Sequence, residues 1–312
     1  MKKKLILLVL IISVIFIIGC AQEDELVSGP FIGGTNGLEI EFVNNEPPDK
    51  VFDNNEEDFD ITIRVENVGE FDILSNKVIS TLSGIDTLDF GIGSPNKVLN
   101  FGLEGKEEFN GKAVNGEEGD LIYSDAKYKF DLGADFETVV RADVCYEYKT
   151  AATTKACIRR KATERDTSDA CSVNNENVQV ENSGAPVQIE QVSTRTSGTN
   201  EVRLSFLVRN VASGIVYPPN TFSGSCGEND DKEDRLNLEV RIPSGRYKII
   251  CNQLGGAFGE IKLIDNEKAI TCRISTSSAP ENPVEAPINI VASYFYRNAI
   301  QKTLIVEDSE DI

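Results

Sequence analysis

The 312-residue chain has no histidine and no tryptophan, and Met1 is its only methionine. Without histidine there is no Ser-His-Asp or Cys-His centre, and no imidazole to bind zinc, copper or haem. Bases are scarce as well: 31 against 51 acids, a formal charge of −20. So acidic a chain is no nucleic-acid binder, because phosphates have to be met by clustered cations. Chemical motifs are missing too. Gly91-Ile-Gly93 lacks the third glycine and the following helix of a dinucleotide fingerprint, and neither a P-loop nor a G-x-S-x-G elbow occurs. There is no N-x-S/T sequon, which disfavours N-glycosylation. What remains, 40 % hydrophobic and 26 % charged residues, is the composition of a folded protein of about two domains. No cofactor is expected.

The N-terminus speaks to location. Lys2, Lys3 and Lys4 precede the apolar run from Leu5 to Ile18, broken only by Ser13 and closed by Gly19-Cys20. That is the layout of a secretory signal peptide, while the run to Ala21 is marginal in length for a membrane-spanning anchor. Ile17-Ile18-Gly19-Cys20 resembles the lipobox of lipoprotein signal peptides, with isoleucine at 17 where that family more often has leucine. The resemblance implies that Cys20 receives a diacylglyceryl thioether and becomes the mature N-terminus. Lipidation, plain cleavage and an uncleaved anchor all export residues 21–312. Losing the three leader lysines leaves 28 bases against 51 acids, a net of −23. Anionic headgroups repel such a body, so attachment to the membrane falls to the N-terminal segment. The acidic, then glycine-rich stretch 21–36 reads as a solvated tether.

Seven cysteines agree with export. With Cys20 assigned to lipid, Cys145, Cys157, Cys171, Cys226, Cys251 and Cys272 form an even set, which predicts three disulfides. No pair has C-x-x-C spacing, so neither a redox motif nor a zinc knuckle is expected. Cys145 and Cys157, flanking an expected hairpin, are the first choice of pair, with Cys251–Cys272 next and Cys171–Cys226 left over.

The rest of the chain alternates with a period of two. Leu38, Ile40 and Phe42 alternate with Glu39 and Glu41; Phe59, Ile61, Ile63 and Val65 with Asp60, Thr62 and Arg64; Val202, Leu204, Phe206 and Val208 with Arg203, Ser205 and Arg209. Such alternation puts one face on a core and the other in water, as in an antiparallel sheet. An internal repeat accompanies it. Ile63-Arg-Val-Glu-Asn67-Val-Gly69 recurs as Phe206-Leu-Val-Arg-Asn210-Val211, with Gly214 shortly after, and Tyr146-Glu-Tyr148 is echoed by Tyr294-Phe-Tyr296. The strand ending in Val-Glu-Asn-Val-Gly, with its second copy, resembles the immunoglobulin-like modules of prokaryotic surface proteins, notably the CARDB type. The resemblance implies a display or binding module and carries over no active-site residue.

The expected architecture is therefore all-β: a signal or anchor over 1–20, a tether over 21–36, immunoglobulin-like sandwiches over 37–160 and 186–308, a linker over 161–185 and an acidic tail over 309–312. The residues from Glu307 to Asp311 read as a frayed end. The paired tyrosines read as strand residues packing on cross-strand neighbours, with stacking on a ligand as the alternative. Asp53–Asp58 and Glu228–Asp234 carry the hard oxygens calcium prefers, without EF-hand spacing, and read first as solvated loops. No catalytic or metal-binding residue is singled out. The expected role is that of a non-catalytic, membrane-anchored surface protein with an unidentified protein partner. A calcium- or carbohydrate-binding module is the alternative, and a carbohydrate-active enzyme stands third.

Overall fold

The computed structural model describes residues 31–164, 170–227 and 229–309; Cys20 and the rest of the leader lie outside them. In chain order the strands of the first half are β1 (Leu38–Phe42), β2 (Lys50–Phe52), β3 (Phe59–Asn67), β4 (Val78–Ser83), β5 (Asn96–Val98), β6 (Glu107–Phe109), β7 (Lys112–Val114), β8 (Glu118–Ala126) and β9 (Phe136–Ile158). The second half adds β10 (Val180–Asn182), β11 (Val187–Thr196), β12 (Glu201–Asn210), β13 (Ile215–Tyr217), β14 (Arg235–Arg241), β15 (Ile249–Cys251), β16 (Phe258–Lys262), β17 (Glu267–Ser275) and β18 (Val284–Glu307). Among the described residues a 3-10 turn, Asp230–Lys232, is the other regular element. The all-β class is what the alternating pattern requires: Ile61, Ile63 and Val65 are buried while Asp60, Arg64 and Glu66 face outward. Asparagines supply the left-handed backbone of several turns, among them Asn54, Asn55, Asn76 and Asn266.

Each half builds one small sheet of its own, β1-β3-β8 in the first and β11-β12-β17-β15 in the second. Both lie on a shared nine-stranded sheet whose main order is β16-β14-β18-β9-β4-β5. At its centre β9 pairs antiparallel with β18 along its whole 23-residue length, from Ile158↔Val284 to Phe136↔Val306. The register sets Tyr146 opposite Tyr296 and Tyr148 opposite Tyr294, so a pseudo-two-fold axis passes between Glu147 and Phe295. One hydrophobic core runs through both halves, from Ile63 and Tyr148 to Val208 and Tyr296. The halves 37–160 and 186–308 thus share a sheet and a core. The segment 161–185 between them is not a plain linker either, because β10 lies within it and pairs with β9.

Even-numbered residues of β9 and β18 face the two small sheets: the Leu38 amide donates to Tyr146 Oη, and Thr150 Oγ1 donates to the Val187 carbonyl. Part of the opposite face is covered by the excursion from Ile215 to Cys226. Its Tyr217, Phe222 and Cys226 form a second small core with Ile79, Cys145 and Phe295. Of the expected tether, residues 21–30 lie outside the described part and 31–36 are held locally, as are the first residues of the expected frayed tail. The amides of Ile32 and Gly33 both donate to the Glu70 carboxylate, at 2.8 Å each. Glu307 pairs with Phe52, and Asp308 is buried; residues 310–312 lie outside the described part.

Candidate functional site

The paired tyrosines meet at the pseudo-dyad. Tyr146, Tyr148, Tyr294 and Tyr296 are all buried, with ring centroids 5.7 Å apart for Tyr146–Tyr148 and Tyr146–Tyr296 and 6.4 Å for Tyr148–Tyr294 and Tyr294–Tyr296. Two of them close the same hydrogen-bonded ring in the two halves. Tyr148 Oη donates to Asn67 Oδ1 at 3.1 Å and accepts from the Phe71 amide, while Asn67 Nδ2 donates to the Phe71 carbonyl. Tyr296 Oη donates to Asn210 Oδ1 at 3.2 Å and accepts from the Gly214 amide, while Asn210 Nδ2 donates to the Gly214 carbonyl. The recurring asparagine is therefore the acceptor for a core tyrosine from the shared sheet. Burial pushes the Tyr296 phenol up to about 12 and holds those of Tyr146, Tyr148 and Tyr294 well above their ordinary value. Phenols that are neutral, enclosed and hydrogen-bonded neither abstract protons nor stack on a ligand; the cluster is structural.

All six cysteines among the described residues are bridged, in a pattern that corrects two of the expected pairs. Cys145 bonds Cys226, Cys157 bonds Cys171 and Cys251 bonds Cys272, with Cα separations of 5.5, 5.8 and 3.8 Å. Cys145 and Cys157 cannot pair because both stand on β9, twelve positions apart on one extended strand; no hairpin separates them. Cys145 instead fastens the covering loop of the second half to a strand of the first. Cys251–Cys272 is a cross-strand bridge between directly opposed residues of β15 and β17. A chain with three disulfides is built for an oxidising, extracellular setting.

The acidic loops are largely solvated, as expected: residues 54–58 and 230–232 are exposed, Glu228 lies outside the described residues, and Asp53 is the exception. Asp53 is fully buried: Oδ2 accepts from the Leu132 amide at 2.6 Å and Oδ1 from the Ser309 amide at 3.0 Å. The Ser309 side chain above all, helped by these amides against the cost of burial, holds its carboxyl below the usual range. Carboxylate oxygens of Asp53, Asp131 and Asp308 lie within 4.8 Å of one another. Asp53, through its two oxygens, ties the C-terminal segment at Ser309 to the loop at Leu132, with the Asp131 and Asp308 carboxylates beside it. In the second acidic loop Glu233 accepts from Tyr217 Oη at 2.9 Å, while burial raises the Asp234 carboxyl.

A groove of about 820 Å³ opens on the outer face of the shared sheet, beside the Cys157–Cys171 bridge. Thr153, Lys155 and Asn289 lie along it, with Ser172, Asn175 and Gln179 from the bridged loop. Lys155 is paired with Glu285 at 3.1 Å. This lining offers hydroxyls and amides to a polar ligand and no aromatic platform.

No protein-family model and no curated protein matches the chain. Among solved structures, an envelope protein from White Spot Syndrome Virus superposes with a TM-score of 0.26 and 13 % identity, over 49 % of this chain and 98 % of the other. A serine-rich repeat adhesion glycoprotein from Streptococcus agalactiae gives 0.20 and 10 %, over 90 % and 99 %. The partial N-terminal region of an enterococcal surface protein gives 0.16 and 8 %, over 90 % and 97 %. Scores of this size fall below those of chains that share a fold. Among the described residues no helix is long and apolar enough to cross a membrane.

Proposed function

We propose that the protein is a non-catalytic surface protein of prokaryotic lipoprotein type, held to the membrane through lipid on Cys20 and serving as a stiff structural or interaction module. The observation that carries this reading is the joint itself. A ladder along the whole of β9, reinforced across the halves by Cys145–Cys226, turns a duplicated CARDB-like unit into one body that resists bending. A binding protein that closes on a small ligand needs a hinge between its lobes; here the place for a hinge is occupied by the longest strands in the chain. The disulfides and the lipobox-like Cys20 agree on an extracytoplasmic address.

Mass spectrometry of the mature N-terminus, from protein in its native membrane, tests the anchor. A diacylglyceryl-modified Cys20 is expected, and a free Ala21 or an intact Met1 would overturn it. Crosslinking on intact cells tests the role, with a defined protein neighbour as the expected product. The hydroxyl- and amide-lined groove favours a second reading, a surface module for a small polar ligand such as a carbohydrate. Saturable oligosaccharide binding by calorimetry, lost on closing the groove with Thr153→Trp, would establish it. Turnover of a glycan that one carboxylate substitution abolishes would replace both readings with an enzyme.

A further inference from the structure

Two rows of like charge cross the outward faces of the two small sheets. In the first, Glu39 of β1 stands directly opposite Glu66 of β3, which stands directly opposite Glu118 of β8. In the second, Arg195 of β11 stands opposite Arg203 of β12, and Arg203 opposite Arg273 of β17. Neighbouring strands are about 4.8 Å apart, so each row sets three charges of one sign within about 10 Å. Like charges directly opposed weaken a sheet, and this fold keeps such pairs on both sheets with opposite signs.

Local partners leave the rows largely intact. Arg64, two residues along from Glu66, hydrogen-bonds Asp120 at 3.0 and 3.1 Å, and its charge reaches Glu118 only as a weaker, longer-range interaction. Arg195 takes Glu176 at 2.7 Å, an exposed pair of the kind that contributes little. Among the described residues no ion pair falls on Glu39, Glu66, Glu118, Arg203 or Arg273. In a chain of net charge −20 a triple guanidinium row asks for an anionic partner, and the chain carries a matching carboxylate row itself.

We infer that the two rows are the complementary parts of one interface that joins two copies of this chain. Both small sheets cover the same face of the shared sheet, so both rows look the same way. A two-fold axis lying in that face, midway between the rows, sets the carboxylate row of each copy on the arginine row of the other and satisfies both at once. Guanidinium–carboxylate contacts then replace the like-charge contacts that each monomer keeps exposed. The interface goes beyond the role proposed above and does not need the anchor: a monomeric protein would overturn it and leave lipidation and the surface role standing.

Sedimentation of the full chain in non-ionic detergent tests it. The wild type should be dimeric at low salt, with its dissociation constant rising roughly tenfold or more by about 0.5 M salt. Two charge-reversed variants, Arg195→Glu/Arg203→Glu/Arg273→Glu and Glu39→Lys/Glu66→Lys/Glu118→Lys, should each be monomeric alone and should form a dimer when mixed in equal amounts. Restoration on mixing also shows that both variants are folded, as unchanged circular dichroism of each should confirm. A wild type that stays monomeric at low salt would overturn the inference, as would a dimer that survives in either variant alone. So would loss of association in the arginine variant only, the result expected if the row serves a foreign polyanion.

Discussion

Arg297 of β18 grips Asp143 of β9 across the joint between the halves, with Nε and Nη2 both on Oδ1 at 3.1 and 3.0 Å. Arg141, two residues along β9, holds the same carboxylate from the other side, Nε to Oδ2 at 3.1 Å and Nη2 to Oδ1 at 2.9 Å. Burial alone would raise the Asp143 carboxyl, but the Arg141 hydrogen bonds and the Arg297 charge outweigh it and hold the group below its ordinary value. Arg297 Nη1 also reaches Tyr217 Oη at 3.4 Å, which links the pair to the loop that carries Cys226.

Asp143→Asn should therefore cost about 3 kcal/mol in urea titrations, because it leaves a guanidinium buried against an uncharged amide. The pH dependence has a definite sign. Asp143 has a lower pKa folded than unfolded, so its contribution is complete above the unfolded value near 3.8 and is lost as pH falls toward the depressed folded value. The wild type should lose stability through that window more steeply than the Asn variant. Parallel acid limbs for the two proteins would show that the pair is not coupled to folding.

The bridges should not contribute equally. Cys145–Cys226 closes 81 residues of chain, against 14 for Cys157–Cys171 and 21 for Cys251–Cys272. The chain-entropy model then gives about 4.5 kcal/mol for the first and about 3 kcal/mol for each of the others. Cys145→Ser/Cys226→Ser should lower the melting temperature most, and a non-reducing peptide map should return these three pairs. A Cys145–Cys157 peptide would contradict the run of β9.

Strand residues such as Ile61, Ile63 and Val65, or Leu204, Phe206 and Val208, were legible because only one of their faces is buried, which leaves a clean period of two. The long central strands were not. In β9, Ala142 to Tyr146 are buried without a break, since the Ile215–Cys226 excursion covers the face that would otherwise be wet. Burial on both faces at that point interrupts the alternation in the middle of the strand, so its two ends do not read as one 23-residue element. The same covering loop decides where Cys145 bonds, and nothing in local spacing records that a segment 81 positions away comes to rest on it. The asparagine–tyrosine repeat was visible as letters; its meaning, a side-chain bond between a turn and the opposing sheet, needed the pairing of β9 with β18.

That repeated bond yields a matched test. Asn67→Ala strands the Phe71 carbonyl and leaves the Tyr148 hydroxyl only the Gly184 carbonyl, at 3.4 Å, to donate to, and Asn210→Ala strands the Gly214 carbonyl and the proton of the Tyr296 hydroxyl. Each should cost about 2–3 kcal/mol in denaturant titration, the range for leaving buried polar groups unsatisfied. The adjoining glycines should be stricter. A Cβ on Gly69 would lie 2.0 Å from Tyr148 Oη, and one on Gly214 would lie 2.4 Å from the Arg297 carbonyl oxygen. Gly69→Ala and Gly214→Ala should destabilise more than the asparagine changes; a mild effect at either would mean that its turn moves freely away from the joint.

The tyrosines set the alkaline limit of the fold. Burial above all raises Tyr123, Tyr217 and Tyr296 to about 12 from 10.0, and holds Tyr146, Tyr148 and Tyr294 well above their ordinary value. An unfolded chain ionises these phenols near 10, so the stability they confer is complete below that pH and falls as pH rises through their folded values. Tyrosinate absorbance should thus lag well behind that of a free phenol. It should then rise together with loss of the β-sheet circular dichroism signal, in one cooperative step shared by both halves, because four of these rings sit astride the pseudo-dyad. Reversible ionisation of those six groups near pH 10 with the sheet signal intact would mean that the joint admits water. The core could not then be the continuous body from which the stiff-module role is drawn.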